Sequence, residues 1–279
     1  MIGEIGVVAS LNRKDSGLDR VKEYGLDSCQ LISWDPTLWT GEVAERVRTE
    51  AQSFGIRIVG FWAGWPGPAV WDLIDGPETL GIVPEKYRAE RKEYLKQAGN
   101  FAKIVGTPAV ITHLGFIPEN PKDPRFAEIV STVREIAEKL ETLGLQFWFE
   151  TGQETPVTLL RLIKSVGTPN LGINLDPANL ILYGKGNPID ALGIFGDYVK
   201  CIHAKDGLYP EDPMHTGQQV RVGEGQVEFP LFLKRLEEIG YKGEFIIERE
   251  IKGQKQIEDI VYTIDYLQKL LGRGGNHAR

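Results

Sequence analysis

Short apolar runs alternate along this chain with longer stretches in which apolar and charged positions interleave. Eight of the runs read as strands: Glu4–Ala9, Ser28–Ser33, Ile56–Trp62, Ala109–His113, Gln146–Glu150, Leu171–Asp176, Val199–His203 and Glu244–Glu248. They are short and rich in Val, Ile, Leu and Phe, the composition of parallel strands covered on both faces. Helical periodicity fills the stretches Glu42–Phe54, Glu85–Val105, Pro124–Leu143, Pro156–Val166, Phe229–Ile239 and Ile257–Leu271. Each stops at a glycine (Gly55, Gly106, Gly144, Gly167, Gly240, Gly272), the residue that most easily takes the left-handed turn beyond a helix. Thr155 stands as an N-cap before Pro156.

Strand and helix in alternation predict a parallel α/β fold. Eight units favour a closed (β/α)8 barrel, with an open doubly wound sheet as the alternative that periodicity alone leaves open. The length of 279 residues suits one barrel of roughly 250 residues. No linker divides the chain. Residues 1–272 are therefore read as one domain and 273–279, small and polar, as a flexible tail. The two longest loops, 63–84 and 204–227, both follow strands, which puts them on the catalytic face of a barrel.

Charge and cysteine usage narrow the class. A net charge of −7 offers no basic footprint for DNA or RNA. Cys29 and Cys201 are too few and too far apart for a disulfide framework and read as buried strand residues. The first ten residues lack a basic n-region, and no apolar run approaches the ~20 residues of a membrane span. The expectation is a cytoplasmic enzyme without a membrane or nucleic-acid partner.

Four ionisable residues close four successive strands: Glu150, Asp176, His203 and Glu248, at spacings of 26, 27 and 45 residues. One charged residue at a strand end is usually just the start of a loop. Four in a row, each after an apolar run, would bury repelling charges at a cost of several kcal/mol unless a cation joined them. Three carboxylates and one imidazole suit Mn²⁺, Mg²⁺ or Co²⁺ better than Zn²⁺.

These residues sit in a wider pattern: Glu150, DPAN at 176–179, HAKD at 203–206, RVGEG at 221–225 and IIERE ending at Glu250. With it the chain resembles, over nearly its whole length, the xylose isomerase-like barrel superfamily in its sugar phosphate isomerase/epimerase branch. Ketose 3-epimerases, hydroxypyruvate isomerase and inosose dehydratase are relatives there. The resemblance implies one divalent cation, Mn²⁺ foremost with Mg²⁺, Co²⁺ or Zn²⁺ as alternatives, on Glu150, Asp176, His203 and Glu248. It implies that Glu150 and Glu248 also move protons, as base and acid around a metal-stabilised enediolate. Arg221 resembles an arginine that touches substrate oxygens; a solvated loop arginine is the other reading. In the epimerases a histidine commonly follows the aspartate by three positions. Asn179 stands there, and a ring donor is lost.

Further substrate contacts are read from the residues themselves. His113 ends its strand and either meets substrate or packs. Lys205 either polarises a substrate oxygen or pairs with Asp206 or Glu150. Glu250 either shares the face of Glu248 or pairs on the surface with Arg249 or Lys252. Trp62 and Trp65, with Trp71, lie in a glycine- and proline-rich stretch that suits stacking on a sugar or packing at the barrel rim; Trp34 and Trp39 add to the picture.

The expected function is a metal-dependent isomerase or epimerase of a sugar or keto-sugar. A lyase that dehydrates a keto-inositol or cleaves a 3-keto-glycoside at the same site is the alternative. A nuclease resembling endonuclease IV would need several zinc ions, and only His113, His203, His215 and His277 are present. A two-carboxylate glycosidase would leave Asp176 and His203 unexplained. A non-enzymatic sugar-binding protein would have no need of two acid/base glutamates. Relatives are often dimers or tetramers, so a homo-oligomer is compatible with the reading.

Overall fold

The apolar runs become the staves of a barrel. A computed structural model describes residues 3–272. The strands are β1 (Ile5–Ser10), β2 (Ser28–Ser33), β3 (Arg57–Ala63), β4 (Ala109–Thr112), β5 (Gln146–Glu150), β6 (Leu171–Leu175), β7 (Val199–Ala204) and, after a short hairpin of β8 (Asp206–Gly207) with β9 (Gln219–Val220), β10 (Phe245–Ile247). All neighbours in the barrel run parallel, in the closed order β1-β10-β7-β6-β5-β4-β3-β2. The closed barrel is confirmed and the open sheet is excluded. The expected tail 273–279 lies outside the described residues.

The expected helices form as α2 (Gly41–Phe54), α4 (Glu85–Val105), α5 (Pro124–Thr142), α6 (Pro156–Val166), α9 (Phe229–Glu238) and α10 (Gln254–Leu270). Thr155 caps α6 by accepting the Thr158 N–H. Among the described residues, four more helices lie outside the expected set. They are α1 (Leu18–Glu23), the one-turn α3 (Gly76–Thr79), α7 (Pro177–Leu182) and α8 (Pro188–Phe195). Every residue of α7 is buried, so its apolar run has no polar face to reveal the period. Both cysteines are buried and free, as expected.

Strand alternation layers the barrel interior. Ile111, Trp148, Cys201 and Ile246 share an apolar cluster, separate from the larger core of helix-facing side chains. Two residues further along the same chains come His113, Glu150, His203 and Glu248. A period of two keeps each pair on one face of its strand, so the apolar floor dictates that the ionisable groups point inward above it. Gly172 makes room for that floor: a Cβ there would meet Trp148 Cδ1 at 2.5 Å.

Arg91 of α4 fixes the long loop over one side of the mouth. It is fully buried and donates to the carbonyls of Pro68 (2.9 Å), Thr79 (2.7 Å) and Gly81 (2.6 Å). Its guanidinium also faces the rings of Tyr87 and Trp65. Arg91→Ala strands those carbonyls without donors, so it should destabilise the protein by about 3 kcal/mol, at roughly 1–3 per unsatisfied buried group after partial rehydration. Urea denaturation measures this, and an unchanged midpoint would show that the loop holds itself.

Candidate metal centre

Glu150, Asp176, His203 and Glu248 converge. One oxygen or nitrogen from each lies within 4.8 Å of all the others. They come from β5, the turn after β6, β7 and the residue after β10, which are four adjacent staves of the barrel. The two glutamates flank the aspartate and the histidine. Asp176 does not close its strand as expected; it is the N-cap of α7, and its Oδ1 accepts the Asn179 N–H at 2.9 Å. Pro177 explains the shift, because proline starts a helix readily and disfavours helical backbone in the residue before it. Glu150, Asp176 and His203 are buried, and the Glu248 side chain is 13% exposed, so the cluster opens at Glu248.

His203 is held for coordination. Its Nε2 lies 2.8 Å from Gln30 Oε1 and 3.0 Å from Asn174 Nδ2. The closer oxygen accepts Nε2–H, and Gln30 Nε2 donates onward to Asn174 Oδ1 at 3.1 Å. Nδ1 then faces Glu150 (3.2 Å), Glu248 (3.4 Å) and Asp176 (3.6 Å), and it is buried with no hydrogen-bond partner. Three carboxylates around a partnerless imidazole nitrogen fit a hard divalent cation. Without the ion the charges are balanced by protons and by Lys205. Burial opposes the charge on His203, but Glu150 and Glu248 outweigh it and hold the ring well above its ordinary range. Burial likewise opposes ionisation of Glu248, yet Lys205 and His203 bring its carboxyl down to about 2.

Lys205 is buried at the rim and pairs with Glu250 (2.8 Å), Glu248 (3.0 Å) and Asp176 (3.3 Å). The expected pairing with Asp206 or Glu150 is not formed. Lys205 shares the inward face with His203, whereas Asp206 points the other way and accepts the N–H groups of Gly207, Gly223, Gly225 and Val227. It thereby pins the RVGEG loop. Glu250 shares the face of Glu248, and the surface pairing with Arg249 gives way to an Arg249–Asp259 bridge of 2.9 Å.

The remaining expected contacts divide. His113 Nε2 lies 3.4 Å from Glu150 Oε1, and Asn179 Nδ2 donates to the same oxygen at 3.3 Å. Trp62 Nε1 donates to Glu150 Oε2. Trp65 is buried 6.1 Å from Trp62, and both join Trp34 and Trp71 in one aromatic wall beside His113. Arg221 stands apart: its guanidinium lies 3.9 Å over the Tyr262 ring and pairs with Glu224. Gln30 and Asn174 escaped the sequence reading. Their signal was a polar residue inside an apolar strand, SCQLIS and LGINL, where an amide must have a buried partner. Glu154 is a further buried carboxyl, pushed up to about 7 by burial against the pull of His113.

A protein from Methanocaldococcus jannaschii, itself uncharacterised, is 29% identical over 200 residues, 67% of this chain and 64% of its own length. A human protein described as a putative hydroxypyruvate isomerase is 27% identical across 94% of this chain and 92% of its own. The crystal structure of a xylose isomerase domain protein from Planctomyces limnophilus superposes with a TM-score of 0.92 at 36% identity, covering 97% of this chain and 98% of that one. At 17% identity, a D-psicose 3-epimerase (TM-score 0.70, 96% of this chain and 99% of that one) shares the fold. So does a probable 3-DHS dehydratase from Bacillus anthracis (0.66, 95% and 99%). The model of the xylose isomerase-like TIM barrel family matches residues 18–270, and the chain belongs to that family.

Proposed function

We propose that the protein is a divalent-metal-dependent isomerase or epimerase of a sugar or keto-sugar, with Glu150 and Glu248 as its proton carriers. The observation that carries this is the arrangement of the cluster: two glutamates flank Asp176 and His203, so a substrate seated on the centre meets a carboxylate at each side. Glu150, Asp176, His203 and Glu248 would hold the ion, with Mn²⁺ the best fit and Mg²⁺, Co²⁺ or Zn²⁺ the alternatives. When bound, the ion supplies positive charge that stabilises the enediolate oxygens.

The protein's own groups do the rest. Glu248, the least buried of the four, is ionised beside Lys205 and faces the open side of the cluster, where it takes the proton from carbon beside the carbonyl. Glu150 is held in place by the Trp62 and Asn179 N–H groups and handles the proton on the other side. Trp62 and Trp65 close the pocket around a carbohydrate ring, and His113 meets its oxygens. Arg221 would reach substrate only after leaving Tyr262 and Glu224. The surroundings suit a small carbohydrate ligand, and no described helix is long and apolar enough to cross a membrane.

One observation favours a second reading, β-elimination from a keto-inositol or 3-keto-glycoside. Elimination begins with the same proton removal and then needs an acid for the leaving oxygen. Glu154, buried within electrostatic reach of His113 with an unpartnered carboxyl oxygen and pushed up to about 7, is the group nearest to that role.

The test is incubation with Mg²⁺ and a panel of ketoses, keto-inositols and 3-keto-glucosides in D₂O, followed by NMR. Deuterium should enter beside the carbonyl and stop entering with chelator. An inverted or transposed centre identifies the isomerase, and loss of water or alcohol the lyase. No exchange across the panel by metal-loaded protein would overturn both readings.

A further inference from the structure

The metal cluster borders a cavity of about 380 Å³ that runs from Glu248 to Trp34 and Lys252. Glu248 is its only lining residue among the four putting donor atoms into the cluster. The cavity therefore lies to one side of the centre, on the side where the cluster opens. A substrate unit reacting on the ion leaves this space for whatever is attached to it.

The walls state what that attachment is. Trp34 is 41% exposed, and its indole lies against Gly64, where a Cβ would come within 2.5 Å of the ring. Only glycine lets the ring settle there. Trp62, whose N–H holds Glu150, packs 5.0 Å from Trp34 and links the platform to the centre. An exposed aromatic face suits the apolar face of a sugar ring. Charge argues against a phosphate. Glu248 and Glu250 line the cavity and share the one Lys205 ammonium, and of the two cations lining it Arg249 is tied to Asp259, which leaves Lys252 as the one lining cation to meet an anion.

We propose that this cavity is a second sugar-ring subsite with Trp34 as its platform, so that the substrate is an unphosphorylated glycoside and not a free or phosphorylated monosaccharide. This rests on the carbohydrate reading above and names its substrate class.

Calorimetric titration of the whole protein with Mg²⁺ tests it, using glucose, cellobiose and glucose 6-phosphate as probes. A stacked aromatic contact is worth about tenfold in affinity. Cellobiose should bind tighter than glucose by about that factor, and glucose 6-phosphate no tighter than glucose. Trp34→Ala should erase the cellobiose preference, while Trp34→Phe keeps most of it and so separates stacking from folding. Equal affinity for glucose and cellobiose, no cellobiose binding, a preference for the phosphate, or a preference that survives Trp34→Ala would each overturn the subsite. The reaction fails separately. A disaccharide preference without deuterium exchange on any keto-sugar would overturn the proposed chemistry and keep the subsite; exchange without the preference would do the reverse.

Discussion

Glu248→Gln should lower turnover and deuterium exchange by about 10²–10⁴-fold, the usual contribution of a positioned acid or base. The substitution keeps the shape of the side chain and one oxygen for the ion or for Lys205. It removes the ability to carry a proton together with one negative charge on the ion and on Lys205. Lys205 retains Asp176 at 3.3 Å and Glu250 at 2.8 Å, so the buried ammonium stays paired and the fold should survive. Metal content measured on the same sample separates the two roles of the residue. Full activity with the ion bound would end the case for Glu248 as a proton carrier. Activity that returns at higher metal concentration would reduce Glu248 to a ligand. Glu150→Gln should cost more in folding as well, because Trp62, His113, Asn179 and His203 all converge on that carboxylate.

The same residues show why parts of the molecule were legible in advance. A parallel strand covered on both faces must be apolar, so a charged residue at its end is conspicuous, and Glu150, His203 and Glu248 could be picked out with Asp176. What the sequence hid is what has no period. The helix 177–182 is buried all round, and the hairpin of Asp206–Gly207 with Gln219–Val220 is too short to alternate. Pairings within the site were harder still. Lys205 and Asp206 are neighbours in the chain, yet one faces the metal cluster and the other a loop backbone, because adjacent strand residues point apart. Gln30 contacts His203 across 173 positions, a distance that no local pattern reports.

Metal binding should release about one proton per ion at neutral pH and strengthen as pH rises. In the metal-free protein the surrounding carboxylates raise the pKa of His203 well above its ordinary range, against the opposing effect of burial. Below that raised pKa the ring is protonated, and an ion must displace the proton from Nδ1. Affinity therefore climbs by up to about tenfold per pH unit until the ring is neutral without the ion, and then levels off. Lys205 is held well above its ordinary range by Asp176 and its neighbouring carboxylates and keeps its charge throughout, so it adds nothing to the slope. Titration of Mn²⁺ in two buffers of different ionisation enthalpy reads the proton count directly. Gln30→Leu supplies the second arm. It removes the acceptor that fixes Nε2–H, frees the ring to present the wrong nitrogen, and should weaken binding by about 10–100-fold. A count of zero protons, with affinity flat across pH 6 to 8 and unaffected by Gln30→Leu, would mean that His203 is not a ligand and that Asp176 and the glutamates bind the ion without it.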